Sequence, residues 1–332
     1  MKLATLKDGT RDGQLAIVAR DLKSAALADG IAPTLQAALD DWPFISPQLD
    51  AIYQQLNQGR GHRGFEFEPK NCMAPLPRAY QRSVAAAYLN HVALLHKANR
   101  AEMPESLRSD PLMYQGGSDE LLGAHDDIAL AHEEWGIDFE AGLAAIADDV
   151  AMGATPDQAF LNIRLLMLSN DVALRNLIPD ELAKGFGFLQ SRPAAAFSPV
   201  AVTPDELGDA WKGGKVHLPL RAALNGKLAG QPHAGVDMAF NFPQLLAHLV
   251  KSRNARAGCI VGTGAVSNKD AGRGYACIAE KRCLEIIAKG EAHTPFMRFG
   301  DTIRIEMLDG EGKSVFGAIE QTVTQAVARK GR

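Results

Sequence analysis

The alternation of apolar and polar residues predicts that strands dominate this chain. "KLATLKDG" and "GQLAIVAR" predict two short strands joined by a Gly/Asp turn. "NIRLLMLSNDVALR" predicts a buried strand that runs into Asn170–Asp171. Asn225–Gly226 and Asp309–Gly310 each lie between apolar segments, and such dipeptides favour tight hairpin turns. The second half of the chain is therefore expected to be rich in antiparallel strands.

Helical spacing is predicted in fewer places. From Tyr80 onward the apolar residues recur every three or four positions, which predicts one helix that includes His91. "ATPDQAF" has Thr155 and Gln158 at capping-box spacing, which predicts the start of a short helix. "PQLLAHLVKSRNAR" predicts another helix. Since strands do not alternate regularly with helices, the predicted fold class is α+β, mostly β.

A proline-rich segment, "EFEPKNCMAPLPRA", separates a short N-terminal region from the rest. We expect a small N-terminal domain over residues 1–72 and a main domain over residues 73–332. The chain has 332 residues, 46% of them hydrophobic, which is enough for one large core with a smaller unit attached.

Charge and composition indicate which binding partners and which cellular compartment to expect. The net charge is -4 and the sequence pI is about 6.1, and no run of basic residues favours nucleic acid or an anionic membrane. No stretch is long and apolar enough to predict a spanning helix, and the N-terminus has no apolar signal-peptide core. The cysteines form no C-x-x-C pair, so we expect reduced thiols and a cytoplasmic protein.

The segment "WGIDFEAGLAAIADD" carries the first candidate chemistry. Alternation in an extended chain puts Ile137 and Phe139 on one face and Asp138 and Glu140 on the other. Two carboxylates on one strand face are either part of a metal site or a solvated surface, and the pattern leaves both open.

Three common catalytic motifs are incomplete. "GTGAVSNKD" follows an apolar strand but lacks the G-K-[S/T] sequence of a phosphate-binding loop and the third glycine of a dinucleotide motif. "HEEW" lacks the second histidine of a zinc-protease helix, and no G-x-S-x-G segment is present. A strand-to-turn corner is the better interpretation of the glycines in "GTGAVSNKD".

Several segments, taken in order and spacing, carry a family resemblance: "AYLNHVALLHKANRAEMPES", "DPLMYQGGSDELLGAHDDI", "GIDFEAGLA", "NDVALR", "GFGFLQSRPAAAFSPVAVTPDELG", "GTGAVSNKD", "GYACIAEKR" and "TPFMRFGDTIRIEM". Over nearly the whole chain they resemble the bacterial branch of the fumarylacetoacetate hydrolase family. The resemblance implies a catalytic domain with a mixed, rolled-up β-sheet, usually in a homodimer. It also implies hydrolysis of a carbon–carbon bond in a β-diketo acid with Mg²⁺ or Ca²⁺, as in the degradation of tyrosine and other aromatic compounds.

The resemblance further implies a metal held by four carboxylates, of which this chain has two. Asp171 matches the strand-end aspartate and Glu140 matches the first glutamate of the family's E-x-E. Gly142 stands where the second glutamate is expected, and Val84 stands seven residues before His91, where the family has aspartate. Glu140 and Asp171 are therefore the predicted metal ligands, and the loss of two anionic ligands is expected to weaken binding.

The same resemblance implies His91 as the catalytic base and Glu280 as its carboxylate partner. The predicted substrate-binding residues are Arg100, Tyr114, Arg192 and Thr263, with Arg192 at a position where lysine is usual.

Two functions stay open at this point. The first is a hydrolase of a small fumarylacetoacetate- or acylpyruvate-like diketo acid, impaired by Val84 and Gly142. The second is a catalytically degenerate binding or scaffold protein that keeps the fold.

Overall fold

The computed structural model of the chain describes residues 1–60 and 64–326. The strands in these ranges, β1 to β20, are Lys2–Leu6, Gln14–Val18, Ser24–Leu27, Phe65–Glu66, Arg82–Ala85, Met113–Gly116, Ile128–Leu130, Ile137–Asp138, Ala141–Ala147, Ile163–Asn170, Ala173–Leu174, Ala196–Phe197, Ala201–Val202, Trp211–Lys212, Lys215–Val216, Leu220–Leu224, Lys227–Gly230, Cys259–Gly262, Thr302–Met307 and Ile319–Gln325. The α-helices, α1 to α7, are Leu35–Asp40, Trp42–Asn57, Leu89–Ala98, Pro156–Phe160, Ile178–Ala183, Phe242–Leu249 and Ile278–Lys289.

Most of the strands belong to two sheets. The larger has eleven strands in the order β4-β3-β2-β1-β13-β10-β9-β18-β5-β6, with β12 also paired to β10. The smaller has five, in the order β17-β16-β19-β20-β7. The pairs β18–β5 and β20–β7 are parallel, whereas the other paired strands are antiparallel, so both sheets are mixed. This confirms the predicted fold class, α+β and mostly β.

The N-terminal strands continue the large sheet, because β1 pairs with β13 through Lys2 and Val202. Helices α1 and α2 cover one face of these strands, and Leu35, Leu49 and Tyr53 pack there in one hydrophobic cluster. The predicted domain boundary at residue 72 stays a prediction. Residues 61–63 and 327–332 of the two predicted domains lie outside the described ranges.

Several local predictions are confirmed. Strands β1 and β2 pair in the expected hairpin, and β10 is buried up to Asn170. Asn225 and Gly226 join β16 to β17 with φ of 51° and 73°, as a tight turn of this type requires. Thr155 accepts a hydrogen bond from the Gln158 amide and completes a capping box. Local sequence signals for turns and helix caps were therefore sufficient to predict these features.

Three predictions were wrong in detail. The helix expected from Tyr80 is instead strand β5 followed by α3, which begins only at Leu89. Strand β5 is buried between β18 and β6, and its alanine-rich continuation lacks polar residues that would distinguish helical from strand spacing. The turn at Asp309–Gly310 is also longer than two residues, since β19 ends at Met307 and β20 begins at Ile319.

The segment predicted as one strand from residue 137 is two short ones. Strand β8 ends at Asp138 and β9 begins at Ala141, so Phe139 and Glu140 lie at a break between sheets. Within the described ranges, no helix has the length and apolar character needed to cross a bilayer.

Candidate active site

A cavity of about 630 Å³ lies between helices α3, α5 and α7 and strands β5 and β6. Its walls are largely apolar, with Leu95, Leu112, Ile178, Phe188 and Phe296 among the lining residues. Its polar lining includes His91, Tyr114, Glu140, Arg175, Arg192 and Thr263, together with His96, Asn99 and Arg282. An apolar pocket with a few convergent polar groups is typical of a small-molecule site.

Helices α3 and α7 bring His91 and Glu280 together. His91 Nδ1 lies 3.1 Å from Glu280 Oε2, and the glutamate is buried. An ionised carboxylate only accepts hydrogen bonds, so the facing Nδ1 carries the proton and Nε2 is left as the basic nitrogen. The His91 side chain is 13% exposed, so water can reach the ring. The predicted base and its partner therefore form a contact suited to general-base chemistry.

Asp138 connects the His91–Glu280 pair to the other charged residues of the site through hydrogen bonds. Its carboxylate accepts from the amides of Ile278 and Ala279, at 2.6 and 2.9 Å, and so caps the first turn of α7, which carries Glu280. It also accepts from Arg175 Nε at 2.9 Å. Burial raises the pKa of Asp138 above its ordinary value, and Arg175 offsets this only in part. The strand alternation placed Asp138 beside Glu140, but this capping role was not predicted.

Glu140 lies at the cavity floor between two guanidinium groups. Its Oε1 accepts from Arg175 Nη2 at 2.6 Å and lies 2.9 Å from Arg192 Nη1. Strand pairing explains the first contact, because β8 pairs with β11 and Arg175 directly follows β11. Burial alone would raise the pKa of Glu140, but the charges of Arg192 and Arg175 outweigh it and hold that pKa below its ordinary value.

Asp171 is paired with an arginine that the sequence analysis missed. The Asp171 carboxylate accepts from Arg82 on β5, and both side chains are buried. The Arg82 guanidinium fills the space that a side chain at Gly116 would need. A usable signal existed, because an arginine within a buried strand needs an acidic partner nearby.

At the positions of the two absent ligands, the structure has one apolar side chain and one close backbone contact. Val84 is a buried apolar side chain on β5. A Cβ on Gly142 would lie far inside van der Waals contact with the Gly264 carbonyl oxygen. A glutamate at position 142 is therefore sterically excluded unless the Gly264 backbone shifts.

These residues do not fit a divalent cation. Mg²⁺ and Ca²⁺ demand six or more oxygen ligands, whereas Glu140 and Asp171 are already paired with arginines. The buried carboxylates around the floor are also already matched by cations. The carboxylates of Asp138, Glu140 and Asp171 face the guanidiniums of Arg82, Arg175 and Arg192. A dication would add two uncompensated charges to a buried site, which is costly.

Another group has ligand-type side chains at close range. Within the described part of the chain, His91, Cys277 and Glu280 are the one set of three with atoms near enough to share an ion. Cys277 is fully buried, and burial raises the pKa of its thiol well above the ordinary value. A neutral thiol is a poor metal ligand and a poor nucleophile, so Cys277 is better explained as a packing residue.

Arg192 and Tyr114 are the predicted anchoring residues that line the cavity and also carry an unpaired donor. The Arg192 guanidinium lies over the Tyr114 ring at 4.8 Å. Arg192 Nε and Tyr114 Oη are both buried, and neither has a hydrogen-bond partner within the described chain. Glu181 holds the loop that carries Arg192, since its carboxylate accepts from the amides of Leu189, Gln190 and Ser191.

The other two predicted anchoring residues are placed differently. Thr263 lines the cavity, but its hydroxyl already accepts from the Leu143 amide and donates to the Gly264 carbonyl oxygen. Arg100 is exposed beyond the end of α3 and is not part of the cavity lining. The structure thus brings together His91, Glu280, Tyr114, Arg192 and Glu140, and leaves Arg100 outside.

Family profiles match both parts of the chain. The fumarylacetoacetase N-terminal domain 2 matches residues 1–78, and the fumarylacetoacetate (FAA) hydrolase C-terminal domain matches residues 82–324. The chain belongs to the fumarylacetoacetate hydrolase family. Its resemblance to that family was therefore correctly recognised from the sequence.

Individual relatives of this family are distant. A 2,4-didehydro-3-deoxy-L-rhamnonate hydrolase from Sphingomonas sp. (strain SKA58) is 23% identical over 176 residues, which is 52% of this chain and 59% of that protein. The chain thus matches less than two thirds of that relative's length.

Solved structures of the family share the fold. Maleylpyruvate hydrolase from Sphingobium sp. SYK-6, in complex with manganese(II) ion and pyruvate, superposes with a TM-score of 0.66 at 14% identity, covering 98% of this chain and 100% of the other. The 2-hydroxyhepta-2,4-diene-1,7-dioate isomerase from Mycobacterium marinum gives a TM-score of 0.58 at 14% identity, with both chains fully covered. Members of this fumarylacetoacetate hydrolase fold thus include hydrolases and an isomerase.

Proposed function

We propose that this chain hydrolyses the carbon–carbon bond of a small β-diketo acid of the acylpyruvate type. One observation carries the proposal: the His91–Glu280 pair, with Nδ1 and Oε2 3.1 Å apart, opens onto a cavity of about 630 Å³. The family membership supports the same class of substrate. The largely apolar walls favour an acylpyruvate whose acyl group is apolar.

The reaction needs a base and a place for negative charge. His91 Nε2 takes a proton from water, and the resulting hydroxide attacks the acyl carbonyl carbon. The tetrahedral adduct then collapses, the carbon–carbon bond breaks, and its electron pair passes to the pyruvate enolate. The His91 imidazolium, stabilised by Glu280, returns the proton to that enolate, so that a carboxylic acid and pyruvate leave the site.

A specific observation favours a second candidate function. The carboxylates that the family uses for its metal are engaged by arginines here, and a site that has lost its metal can retain binding without turnover. A binding protein for oxo acids is therefore the alternative. The homodimer and the cytoplasmic location expected from the sequence remain part of the proposal in either case.

Product analysis separates these functions. The purified chain is incubated with acetylpyruvate, and the mixture is analysed by proton NMR. We expect acetate and pyruvate in equal amounts, formed faster than in buffer alone. Enol–keto interconversion that is faster than in buffer, without acetate, would instead indicate an isomerase. The absence of both acetate and faster interconversion would leave only the binding protein.

A further inference from the structure

Arginines pair with the carboxylates at the polar floor of the cavity. Arg82 engages Asp171, and Arg175 and Arg192 both engage Glu140. Asp171 and Glu140 are therefore already neutralised by guanidinium groups. Binding a divalent ion would break buried ion pairs. It would also bring the positive charge of the ion close to three guanidinium groups.

Two donors at the same floor have no partner among residues 1–60 and 64–326. Arg192 Nε and Tyr114 Oη are buried and unsatisfied, and the Arg192 side chain is only 10% exposed. Leaving a buried donor unpaired is costly, so such groups point to a ligand oxygen that would satisfy them. Both belong to residues that line the cavity, and they lie beside the Glu140 carboxylate.

We propose that guanidinium groups replace the divalent ion in this chain, which binds a 2-oxo carboxylate without metal. The inference rests on the proposed function and deepens it. Arg192 N–H and Tyr114 O–H donate to oxygens of the 2-oxo carboxylate, while Arg82 and Arg175 keep Asp171 and Glu140 neutralised. A planar guanidinium suits a carboxylate, since its N–H donors have a fixed geometry.

The same arrangement provides positive charge near the enolate that forms during turnover. When the carbon–carbon bond breaks, its electron pair becomes the enolate, and the nearby Arg192 cation stabilises that negative charge. The proton from His91 then completes pyruvate. No additional reactant besides water is required, because water supplies the hydroxide and, through His91, the proton.

Calorimetric titration with oxalate, a planar mimic of the pyruvate enolate, tests this proposal. The chain is first treated with a chelator and then freed of it by gel filtration. We expect oxalate to bind this metal-free chain, with a dissociation constant that does not change when MnCl₂ is added. MnCl₂ alone should give no saturable heat.

Variants locate the binding. Arg192→Met should weaken oxalate binding by about tenfold to a hundredfold, the range for a hydrogen-bonded charge. The fold should survive, because Glu140 keeps Arg175 as its partner. Tyr114→Phe removes only one hydroxyl and should weaken binding several-fold. The matched control is Arg256→Met, at an arginine 68% exposed and outside the cavity lining, which should bind oxalate as the unmodified chain does.

The oxalate titrations either support or overturn the guanidinium site. Oxalate binding that requires MnCl₂, or that Arg192→Met leaves unchanged in a folded protein, overturns the guanidinium site. Binding that is independent of metal and dependent on Arg192 supports it, even if acetylpyruvate is not cleaved. In that last case only the proposed hydrolase function fails.

Discussion

Replacing His91 by alanine should reduce acetylpyruvate cleavage by about a hundredfold or more, the usual contribution of a general base. Glu280 lies against His91 Nδ1 and so holds the imidazole in the tautomer that leaves Nε2 free to accept a proton from water. The effect should fall on kcat rather than on KM, because oxo-acid anchoring lies with Arg192 and Tyr114. Cleavage is followed by the loss of ultraviolet absorbance of the diketo acid.

Two further variants make this result specific. Glu280→Gln keeps a hydrogen-bonding side chain beside His91 but loses its charge, so it should cost less than His91→Ala. His293→Ala removes a histidine that is 53% exposed and outside the cavity lining, and it should retain full activity. If His91→Ala folds and cleaves acetylpyruvate as fast as the unmodified chain, His91 is not the base and the proposed chemistry is wrong.

Replacing Arg82 by methionine should lower the free energy of unfolding by about 3–5 kcal/mol, the cost of removing one partner of a buried ion pair. Arg82 and Asp171 are both almost fully buried, so the variant leaves the Asp171 carboxylate without its compensating charge. The measurement is urea unfolding, followed by circular dichroism. Arg256→Met again serves as the control, because its ion pair is exposed and is expected to contribute less than about 1 kcal/mol.

A double-mutant cycle separates the ion pair from the loss of packing. Arg82→Met combined with Asp171→Leu removes both charges, and the double variant should be more stable than the sum of the two single changes predicts. Additivity of the two single effects would mean that Arg82 and Asp171 do not stabilise one another. The role assigned to Arg82 would then have to be abandoned.

The predictable parts of the fold were those with strong local signals. Asn225–Gly226 requires two positive φ angles that few other dipeptides adopt, and Thr155 with Gln158 forms a reciprocal cap. The region around Val84 was not predictable in this way. Its strand is determined by pairing with β18 and β6, and such distant partners are not encoded in the local pattern.

The site was predictable where the family resemblance supplied a role and unpredictable where this chain departs from it. His91 and Glu280 were paired across a sequence separation of 189 residues, and the structure has them in hydrogen-bonding contact. Glu140 and Asp171 were also identified, but as metal ligands. Their arginine partners were missed, because which charges neutralise a buried carboxylate depends on three-dimensional packing.

The most direct test of the account compares the initial rate of acetylpyruvate cleavage with and without divalent metal. The chain is stripped by chelation, divided, and assayed in chelator or in excess Mn²⁺ or Mg²⁺. Arg82, Arg175 and Arg192 already neutralise the carboxylates of the site. We therefore predict the same rate in every sample. A rate that is absent in chelator and restored by Mn²⁺ or Mg²⁺ would contradict the account.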